Sequence, residues 1–435
     1  MDGKYNVPRR DFLKTAAVAT GAWALSPAAS PAILANPSPS DVVRYGVIGT
    51  GAQGCNLLRF LATMAEGKCV ATCDIYPPNL KKGVETIGSN PQTHQDYRQL
   101  LDCKDMDAVL ICTPQNLHAP MVIAALEAGK HVFVEASLFL KEPEGEQIRR
   151  AADLHPQQVL QVGLQWRSSA VYRVAMQMVR KGVIGRVLFV RTQWHLNNNW
   201  RRPVPDAKDE RLINWRMYRE SSGGLLAELA SHQIDVANWA IDAEPVSVAA
   251  AGGTDYWKDG RETYDNVQAI FEYPGAEKLS VSAILFNGHF GFDEQILGDQ
   301  GTLIISAGKG LYFREKLPEV TLGASKEKWK AGATVIAATP EQGIPIFPEK
   351  ISDTDAFLDR EVKYAKRWLA SMGIYDYEEP HDPGYSEMAN FLASIREGKA
   401  VSSPLGLGLS AARSVIYANR AIETGQKVLW PKEPA

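Results

Sequence analysis

The feature that most constrains the fold is a glycine-rich turn between an apolar strand and a helix. Residues 44–48 are typical of a short buried strand, and the run GTGAQG, residues 49–54, follows directly and leads into a helical pattern. In such a turn Gly49 allows the tight bend, Gly51 lets a ligand approach the backbone, and Gly54 lets helix and strand pack closely. The pattern predicts the first strand and helix of a doubly wound parallel sheet that binds a dinucleotide.

A carboxylate at the end of the next predicted strand indicates which dinucleotide binds. Residues 68–73 form that strand and Asp74 follows it, at the spacing of about 20 residues at which an acid binds the adenosine ribose. The pyrophosphate is expected at the helix N-terminus. Because a carboxylate repels a 2′-phosphate, we predict NAD rather than NADP. The cofactor-binding residues predicted from the turn and this strand are Gly49, Gly51, Ala52, Gln53, Gly54 and Asp74.

Two further apolar runs, residues 108–112 and 130–134, read as parallel strands that end in polar residues. Ligands of open α/β sheets bind outside the carboxyl ends of the strands. We therefore expect further cofactor contacts there, although His118 fits a role as a helix cap equally well. These candidates are Thr113, Asn116, His118 and Glu135. Together the βα units predict a Rossmann domain over residues 41–165.

The first 40 residues are expected to direct transport rather than to fold. The run RRDFLK, residues 9–14, resembles the twin-arginine export signal, Arg-Arg-x-Phe-Leu-Lys. The apolar stretch behind it has only about 11 residues, against the ~20 that a spanning helix needs. We expect residues 1–40 to be a signal and spacer, and the chain to be exported to the periplasm with no membrane insertion after signal removal. An amphipathic tail or membrane anchor is the alternative.

The pattern changes near residue 182, where alternating strands replace βα units. Residues 186–197 alternate between polar and apolar side chains, as in a half-buried antiparallel strand. Residues 315–380 carry little pattern and predict long loops. The other predicted strands are residues 246–251, 266–273, 278–286 and 301–306, and helical patterns return at 385–396 and 408–424.

A helix predicted over residues 225–240 places three polar side chains on one face. Glu228, His232 and Asp235 are spaced at i, i+4 and i+7, and a carboxylate one turn from an imidazole can hydrogen-bond to it and raise its basicity. We predict all three as catalytic. The alternative is a polar helix face satisfied by contacts with the sheet.

Four residues are candidates for substrate binding. Gln165 and Arg167 follow the last strand of the first domain, at the domain junction. Asn199 and Trp200 lie in a polar loop after a strand, and amides and an indole face suit sugar hydroxyls and rings. Such asparagine-rich turns also occur without a ligand.

Composition excludes several classes of protein. The chain has 435 residues, 45% of them hydrophobic, a net charge of −3 and five cysteines. A sequence pI of about 6.3 gives no electrostatic basis for nucleic-acid binding. No cysteine pair has the C-x-x-C spacing, and no third ligand accompanies Glu228 and His232, so we expect neither a disulfide framework nor a metal site.

Over residues 43–432 the chain resembles the glucose–fructose oxidoreductase, inositol dehydrogenase and rhizopine catabolism family. The glycine turn, Asp74, Glu135 and the His232 run carry this resemblance. It implies that residues 166–435 form an α+β domain with a large, mostly antiparallel sheet that carries substrate and oligomer contacts, in a homodimer or homotetramer.

The resemblance also implies a catalytic lysine that this chain lacks. The family motif Glu-Lys-Pro reads Glu135-Ala136-Ser137 here, and Lys141 is a distant stand-in. The family's Asp and His that face the nicotinamide correspond to Glu228 and His232.

Three functions remain open at this stage. The first is an NAD-dependent oxidoreductase acting on a sugar or polyol, with His232 moving the hydroxyl proton. Because export separates the protein from soluble NAD, the cofactor is expected to be tightly bound. The second is redox-neutral glycoside cleavage, in which transient oxidation permits elimination, water adds and the hydride returns. The third is a binding protein that has lost the chemistry.

Overall fold

The computed structural model describes residues 42–289, 291–306, 309–315, 343–347, 366–374 and 381–431. The predicted signal and spacer, residues 1–40, lie outside the described residues. So does most of the segment 315–380 that was predicted as loops. Where residues of that segment are described, they include a strand at 344–347 and a helix at 366–371, so the loop prediction is wrong there.

The first sheet has six described strands, all parallel, in the order β3-β2-β1-β4-β5-β6. Its central strands are apolar because helices cover both faces, and every residue of β4 is buried. The predicted Rossmann sheet is thereby confirmed. The strands are β1 Val43–Ile48, β2 Gly67–Cys73, β3 Gln92–His94, β4 Ala108–Ile111, β5 His131–Glu135 and β6 Leu160–Gly163, and the helices between them are α1 Ala52–Leu61, α2 Pro77–Ile87, α3 Tyr97–Leu101, α4 His118–Glu127 and α5 Glu142–Leu154.

The second sheet is mixed and mostly antiparallel, with nine strands in the described part of the chain. Only the β7–β10 pair among these strands is parallel. Buried and partly exposed residues alternate along β10 and β12, as expected for a sheet covered on one face. The strands are β7 Val187–His195, β8 Ser247–Gly253, β9 Asn266–Glu272, β10 Lys278–Ile284, β11 Phe292–Gly298, β12 Gly301–Ser306, β13 Lys309–Arg314, β14 Ile344–Phe347 and β15 Val428–Leu429.

Besides the helix at 366–371, five further α-helices follow β6 in the described part of the chain. They are α6 Ala170–Arg180, α7 Glu210–Ile213, α8 Ser231–Ile241, α9 Pro383–Glu397 and α10 Leu405–Thr424. Phe391 of α9 packs on Phe133 of β5 with ring centroids 5.9 Å apart, and Leu409 of α10 lies in the core beside α5. The end of the chain therefore completes the core of the first sheet, and the domain boundary at 165/166 stays a prediction.

None of the helices in the described ranges is long and apolar enough to cross a membrane.

Candidate functional site

Two glycines of the turn are fixed by packing, whereas the third borders open space. Gly49 has a φ of +91°, which favours glycine, and a Cβ there would lie 2.5 Å from the carbonyl oxygen of Cys112. A Cβ on Gly54 would lie 2.0 Å from the oxygen of Gly49. A Cβ on Gly51 would have Asn79 Nδ2, at 3.9 Å, as its nearest neighbour among the described residues. Room is thus kept in front of α1, where a pyrophosphate would bind.

The N-terminus of α1 has electrostatic features that suit an anion. Within the described part of the chain, no side chain caps its first turn, and that turn holds no acidic residue. The first amides of the helix therefore remain available to a ligand, and the helix dipole favours negative charge there. Ala52 and Gln53, predicted as cofactor contacts, form this first turn.

Asp74 joins the glycine turn to the loop after β2. Its Oδ2 accepts a hydrogen bond from the Thr50 amide at 2.9 Å, and its Oδ1 accepts one from the Tyr76 amide at 2.8 Å. Burial raises the pKa of Asp74, and these hydrogen bonds oppose that shift. Because each carboxylate oxygen has two lone pairs, Asp74 can still accept a ribose hydroxyl. Its role as a ribose ligand stays a prediction.

Gln53 connects the first turn of α1 to the end of β5. Its Nε2 donates to Glu135 Oε1 at 2.9 Å. Burial raises the pKa of Glu135 to about 7, and Gly163 provides the space, since a Cβ there would lie 2.6 Å from Glu135 Oε2. Glu387 of α9 is buried close by. Its own pKa is raised, mainly by burial and to a lesser extent by the negative charge of Glu135. Glu135 can therefore hold or release a proton near neutral pH.

His118 lies against two backbone carbonyl oxygens, which favours a structural role, and its predicted contact with the cofactor stays a prediction. Its side chain is only 1% exposed. Its Nδ1 lies 2.8 Å from the carbonyl oxygen of Ser137, and its Nε2 lies 3.0 Å from that of Thr113. Because a neutral imidazole has a single N–H, one ring nitrogen at a time donates to one of these carbonyl oxygens, and the ring lies between the loops that follow β4 and β5.

The other two candidates after β4 remain available for a ligand. The Asn116 Oδ1 is buried and lacks a hydrogen-bond partner among the residues that the structure describes. The Thr113 hydroxyl lies 3.7 Å from the Met121 sulfur, a weak acceptor. Leaving a buried oxygen without a hydrogen bond costs free energy. Asn116 is therefore well placed to accept a hydrogen bond from a bound ligand.

Glu228 does not orient His232, contrary to the prediction. Its Oε1 accepts from Gln115 Nε2 at 2.8 Å and its Oε2 accepts from Arg216 Nε at 2.6 Å. Residues Leu226–Ala230 form a π-helical turn ahead of α8, which changes the i, i+4 geometry assumed for a regular helix. Glu228 instead connects the strand ends of the first sheet to the second domain.

His232 is a half-buried, neutral imidazole. Burial lowers its pKa to about 4. Its Nδ1 has no hydrogen-bond partner within the described ranges, and its ring lies 6.4 Å from that of Trp194. A neutral imidazole with an unpartnered nitrogen can accept a hydrogen bond from a substrate hydroxyl.

Asp235 and Arg167 bind each other, which favours a structural role for both, and their predicted roles as catalytic and substrate-binding residues stay predictions. Arg167 Nε donates to Asp235 Oδ2, and its Nη2 donates to Oδ1, both at 2.8 Å. The side chains are 10% and 2% exposed, and the guanidinium also lies over the Trp239 ring. This bidentate ion pair neutralises the Asp235 carboxylate and holds both side chains in place.

The remaining substrate candidates lie in two places. Gln165 begins a short 3-10 helix at the junction of the two sheets. Asn199 accepts a hydrogen bond from the Arg201 amide at 3.0 Å, as an asparagine turn does. Trp200, with a φ of +59°, lines a cavity of about 590 Å³ together with Asn56 and Glu228. Their predicted substrate contacts stay predictions.

Three functional candidates were missed in the sequence. Gln115 is 1% exposed and bridges Glu228 to the Gly223 amide. It follows β4 directly, so the strand-end argument that selected Asn116 could have found it. Arg202 and Arg216 line the cavities next to the glycine turn, but no local spacing marks them.

Among the described residues, no group of three or more histidine, cysteine, aspartate or glutamate side chains is placed to hold a metal ion.

Two family models match the chain. Residues 43–164 match "Oxidoreductase family, NAD-binding Rossmann fold", and residues 172–304 match "GFO/IDH/MocA C-terminal domain". The chain belongs to the Gfo/Idh/MocA oxidoreductase family. Its first domain is an NAD-binding Rossmann domain, and the open space at Gly51, the uncapped helix and Asp74 suit that cofactor.

The similar proteins are named for different activities. A "Glycosyl hydrolase family 109 protein" from Shewanella pealeana is 29% identical over 233 residues, 48% of this chain and 50% of its own length. An "Inositol 2-dehydrogenase" from Salmonella paratyphi B is 27% identical over 203 residues, 46% of this chain and 55% of its own. The chain thus spans about half the length of these curated relatives.

A solved structure shares the whole fold at low identity. The WlbA dehydrogenase from Bordetella pertussis, in complex with NADH and UDP-GlcNAcA, is 18% identical with a TM-score of 0.67, covering 91% of this chain and 100% of that one. At this identity the likeness supports the fold alone.

Proposed function

We propose that this protein uses a retained NAD to oxidise and reduce a carbon of a sugar or polyol after export in the folded state. Family membership supports the redox chemistry, and the names of the relatives support the substrate class. The run RRDFLK supports export. Retention follows from the compartment, since an exported enzyme has no soluble NAD pool to draw on. An oligomer formed through the second sheet is part of the same proposal.

The observation that carries the proposal is the unpartnered Nδ1 of His232 in the described structure. When bound, the nicotinamide supplies the acceptor for a hydride. His232 accepts a hydrogen bond from the substrate hydroxyl and takes its proton as the C–H bond gives up the hydride, leaving a carbonyl. Because burial lowers its pKa to about 4, His232 is neutral above about pH 5 and keeps a lone pair for the substrate hydroxyl.

Other groups near the strand ends assist this proton transfer. Arg216 and Gln115 hold the Glu228 carboxylate in place. Glu135, with its pKa raised to about 7 by burial, stands directly before Ala136, the position of the family lysine. We propose that Glu135 exchanges the proton that the lysine would otherwise carry.

Redox-neutral glycoside cleavage is the second candidate, and the relatives named as glycosyl hydrolases favour it. An oxidised carbon acidifies the adjacent C–H, and loss of that proton expels the glycosidic oxygen. Water then adds to the double bond, and return of the hydride restores the alcohol. The overall reaction has no net oxidation, so one retained NAD can serve every cycle without being replaced.

The deciding experiment is to purify the exported protein without nucleotide, denature it and identify what is released. Stoichiometric NAD or NADH is expected. The loaded protein is then assayed on single sugars, sugar pairs and glycosides with no NAD added, beside a His232→Asn variant. Turnover that is lost in the variant supports the proposal, and the product distinguishes net redox exchange from cleavage. If the protein neither retains nor binds NAD, both enzymatic functions are excluded and a role as a binding protein remains.

A further inference from the structure

A segment of the second domain lies against the glycine-rich turn. We define this segment, residues 198–216, as the strap. A cavity of about 260 Å³ has Gly51 and Asn79 of the first domain on one side, and Arg202, Pro205 and Trp215 of the strap on the other. Because the pyrophosphate of a dinucleotide binds at the N-terminus of α1, the strap faces the position where the phosphates would lie.

Ion pairs and hydrogen bonds hold the strap in a single arrangement. Arg201 Nη1 donates to Glu210 Oε1 at 2.6 Å, and its Nη2 donates to the carbonyl oxygen of Asp259 at 2.9 Å. Arg261, which is only 7% exposed, binds both oxygens of Asp259 and the carbonyl oxygen of Asn199. These pairs lower the pKa of Asp259 to about 2. The strap is therefore organised independently of any ligand.

The backbone of Arg202 is fixed at both of its polar groups. Its amide donates to Asn214 Oδ1 at 2.8 Å, and its carbonyl accepts from Asn214 Nδ2 at 3.1 Å. This reciprocal pair closes the strap on itself. The Arg202 side chain is thus presented from a rigid support.

Among the residues that the structure describes, the guanidinium of Arg202 has no carboxylate partner. Arg201 and Arg216 each bind a glutamate, but Arg202 forms no ion pair within the part of the chain that the structure describes. Burial, and then the positive charge of Arg216, lower the pKa of Arg202. Arg202 and Arg216 both line the cavity, and of the two only Arg216 is paired with a carboxylate in the described ranges, so the cavity favours an anion. The N-terminus of α1 across the cavity favours the same charge.

We propose that the strap is a clamp on the bound dinucleotide, in which Arg202 donates hydrogen bonds to the pyrophosphate. The clamp gives a physical basis for retention, and this inference rests on the proposed function because NAD is its ligand. The second domain thereby contributes directly to cofactor affinity, and the dinucleotide leaves only when the strap moves.

A ligand series on an Arg202→Ala variant tests the clamp. Binding of adenosine, ADP-ribose and NAD to the nucleotide-free protein is measured by calorimetry. A charge-assisted hydrogen bond contributes roughly 1.5–3 kcal/mol, so affinity for ADP-ribose and NAD should fall about 10- to 100-fold. Adenosine has no phosphate, and its affinity should not change. The release rate of NADH, followed by its fluorescence, should rise by a similar factor.

Arg59→Ala is the matched control. Arg59 lines only the larger of the two cavities, beside Asn56 and Trp200, so its loss should leave ADP-ribose affinity unchanged. The clamp is refuted by unaltered ADP-ribose affinity in Arg202→Ala, and equally by a parallel loss of adenosine binding, which would indicate a disturbed fold.

An Asn214→Ala variant provides a second route to the same question. It leaves the Arg202 charge in place and removes the hydrogen bonds that support it, so NADH should leave faster with little change in adenosine binding. Unchanged release would contradict a clamp that depends on strap rigidity. Should these variants behave as expected while no sugar is turned over, the proposed function fails and the clamp stands.

Discussion

The glycine-rich turn and the polar face around α8 differ in whether local sequence determines the contacts of their residues. In the turn, backbone geometry and local spacing determine the chemistry, because Gly49 and Gly54 meet backbone atoms only a few residues or one strand away. On the polar face, the three aligned side chains have separate fates. Glu228 binds Gln115 and Arg216, His232 lacks a partner at Nδ1 among the described residues, and Asp235 is neutralised by Arg167.

The strongest test of this contrast is Gly54→Ala. Its Cβ would lie 2.0 Å from the Gly49 carbonyl oxygen, so α1 has to move away from the turn. We expect NAD affinity to fall by more than about 100-fold, measured by calorimetry. Gly51→Ala is the comparison: its Cβ enters open space, so it should leave the unfolding temperature of the nucleotide-free protein unchanged and still weaken NAD. Equal NAD affinity in Gly54→Ala and the native chain would contradict the argument that the close packing of Gly54 on Gly49 shapes the cofactor site.

Replacing Arg167 tests the ion pair that it forms with Asp235 on the polar face. Arg167→Met leaves the buried Asp235 carboxylate unpaired, and we expect the free energy of unfolding to fall by about 3–5 kcal/mol in chemical denaturation. The double variant Arg167→Met, Asp235→Asn should recover part of this loss. A small loss in the single variant would mean that Asp235 is solvated or used elsewhere, which would restore it as a catalytic candidate.

Glu135 tests how burial sets protonation at the strand ends. Its pKa is raised from 4.5 to about 7, so the folded state favours the protonated carboxyl. The free energy of unfolding of the nucleotide-free protein should therefore fall as pH rises from about 4.5 to about 7. Glu135→Gln should remove this contribution, raising stability at pH 8 by up to about 3 kcal/mol relative to the native chain.

Glu294 in the second sheet is the control for that pH dependence. Burial raises its pKa to about 8, so Glu294→Gln should remove a similar slope that extends to a higher pH. If Glu135→Gln leaves the slope below pH 7 intact, Glu135 is charged in the folded protein and cannot donate a proton.

The smallest effect is expected at Lys141. It precedes α5 and is exposed, and its amide donates to Glu144. Lys141→Ala should change stability by less than about 0.5 kcal/mol and leave turnover unaltered. A large fall in turnover would show that this lysine reaches the substrate after all.

The contrast also explains what the sequence could predict. The parallel sheet, its strand ends and the turn follow from short-range periodicity, and the structure bears them out. The long-range partners could not be predicted. Gln115 and Glu228 are 113 residues apart, and Arg167 and Asp235 are 68 apart. The π-helical turn at Leu226–Ala230 has no local signal in a run that reads as an ordinary helix, and it invalidated the i, i+4 argument.

The return of α9 and α10 to the first sheet sets the order in which the protein can mature. The apolar side of β1 and β5 is covered by Met388, Phe391 and Leu392, which a ribosome adds long after it has made those strands. The nucleotide-binding half therefore cannot complete its core until α9 has been synthesised. Stable loading with NAD has to wait for that helix, and a truncated chain ending before Pro383 should be degraded rather than accumulate as a smaller nucleotide-binding protein.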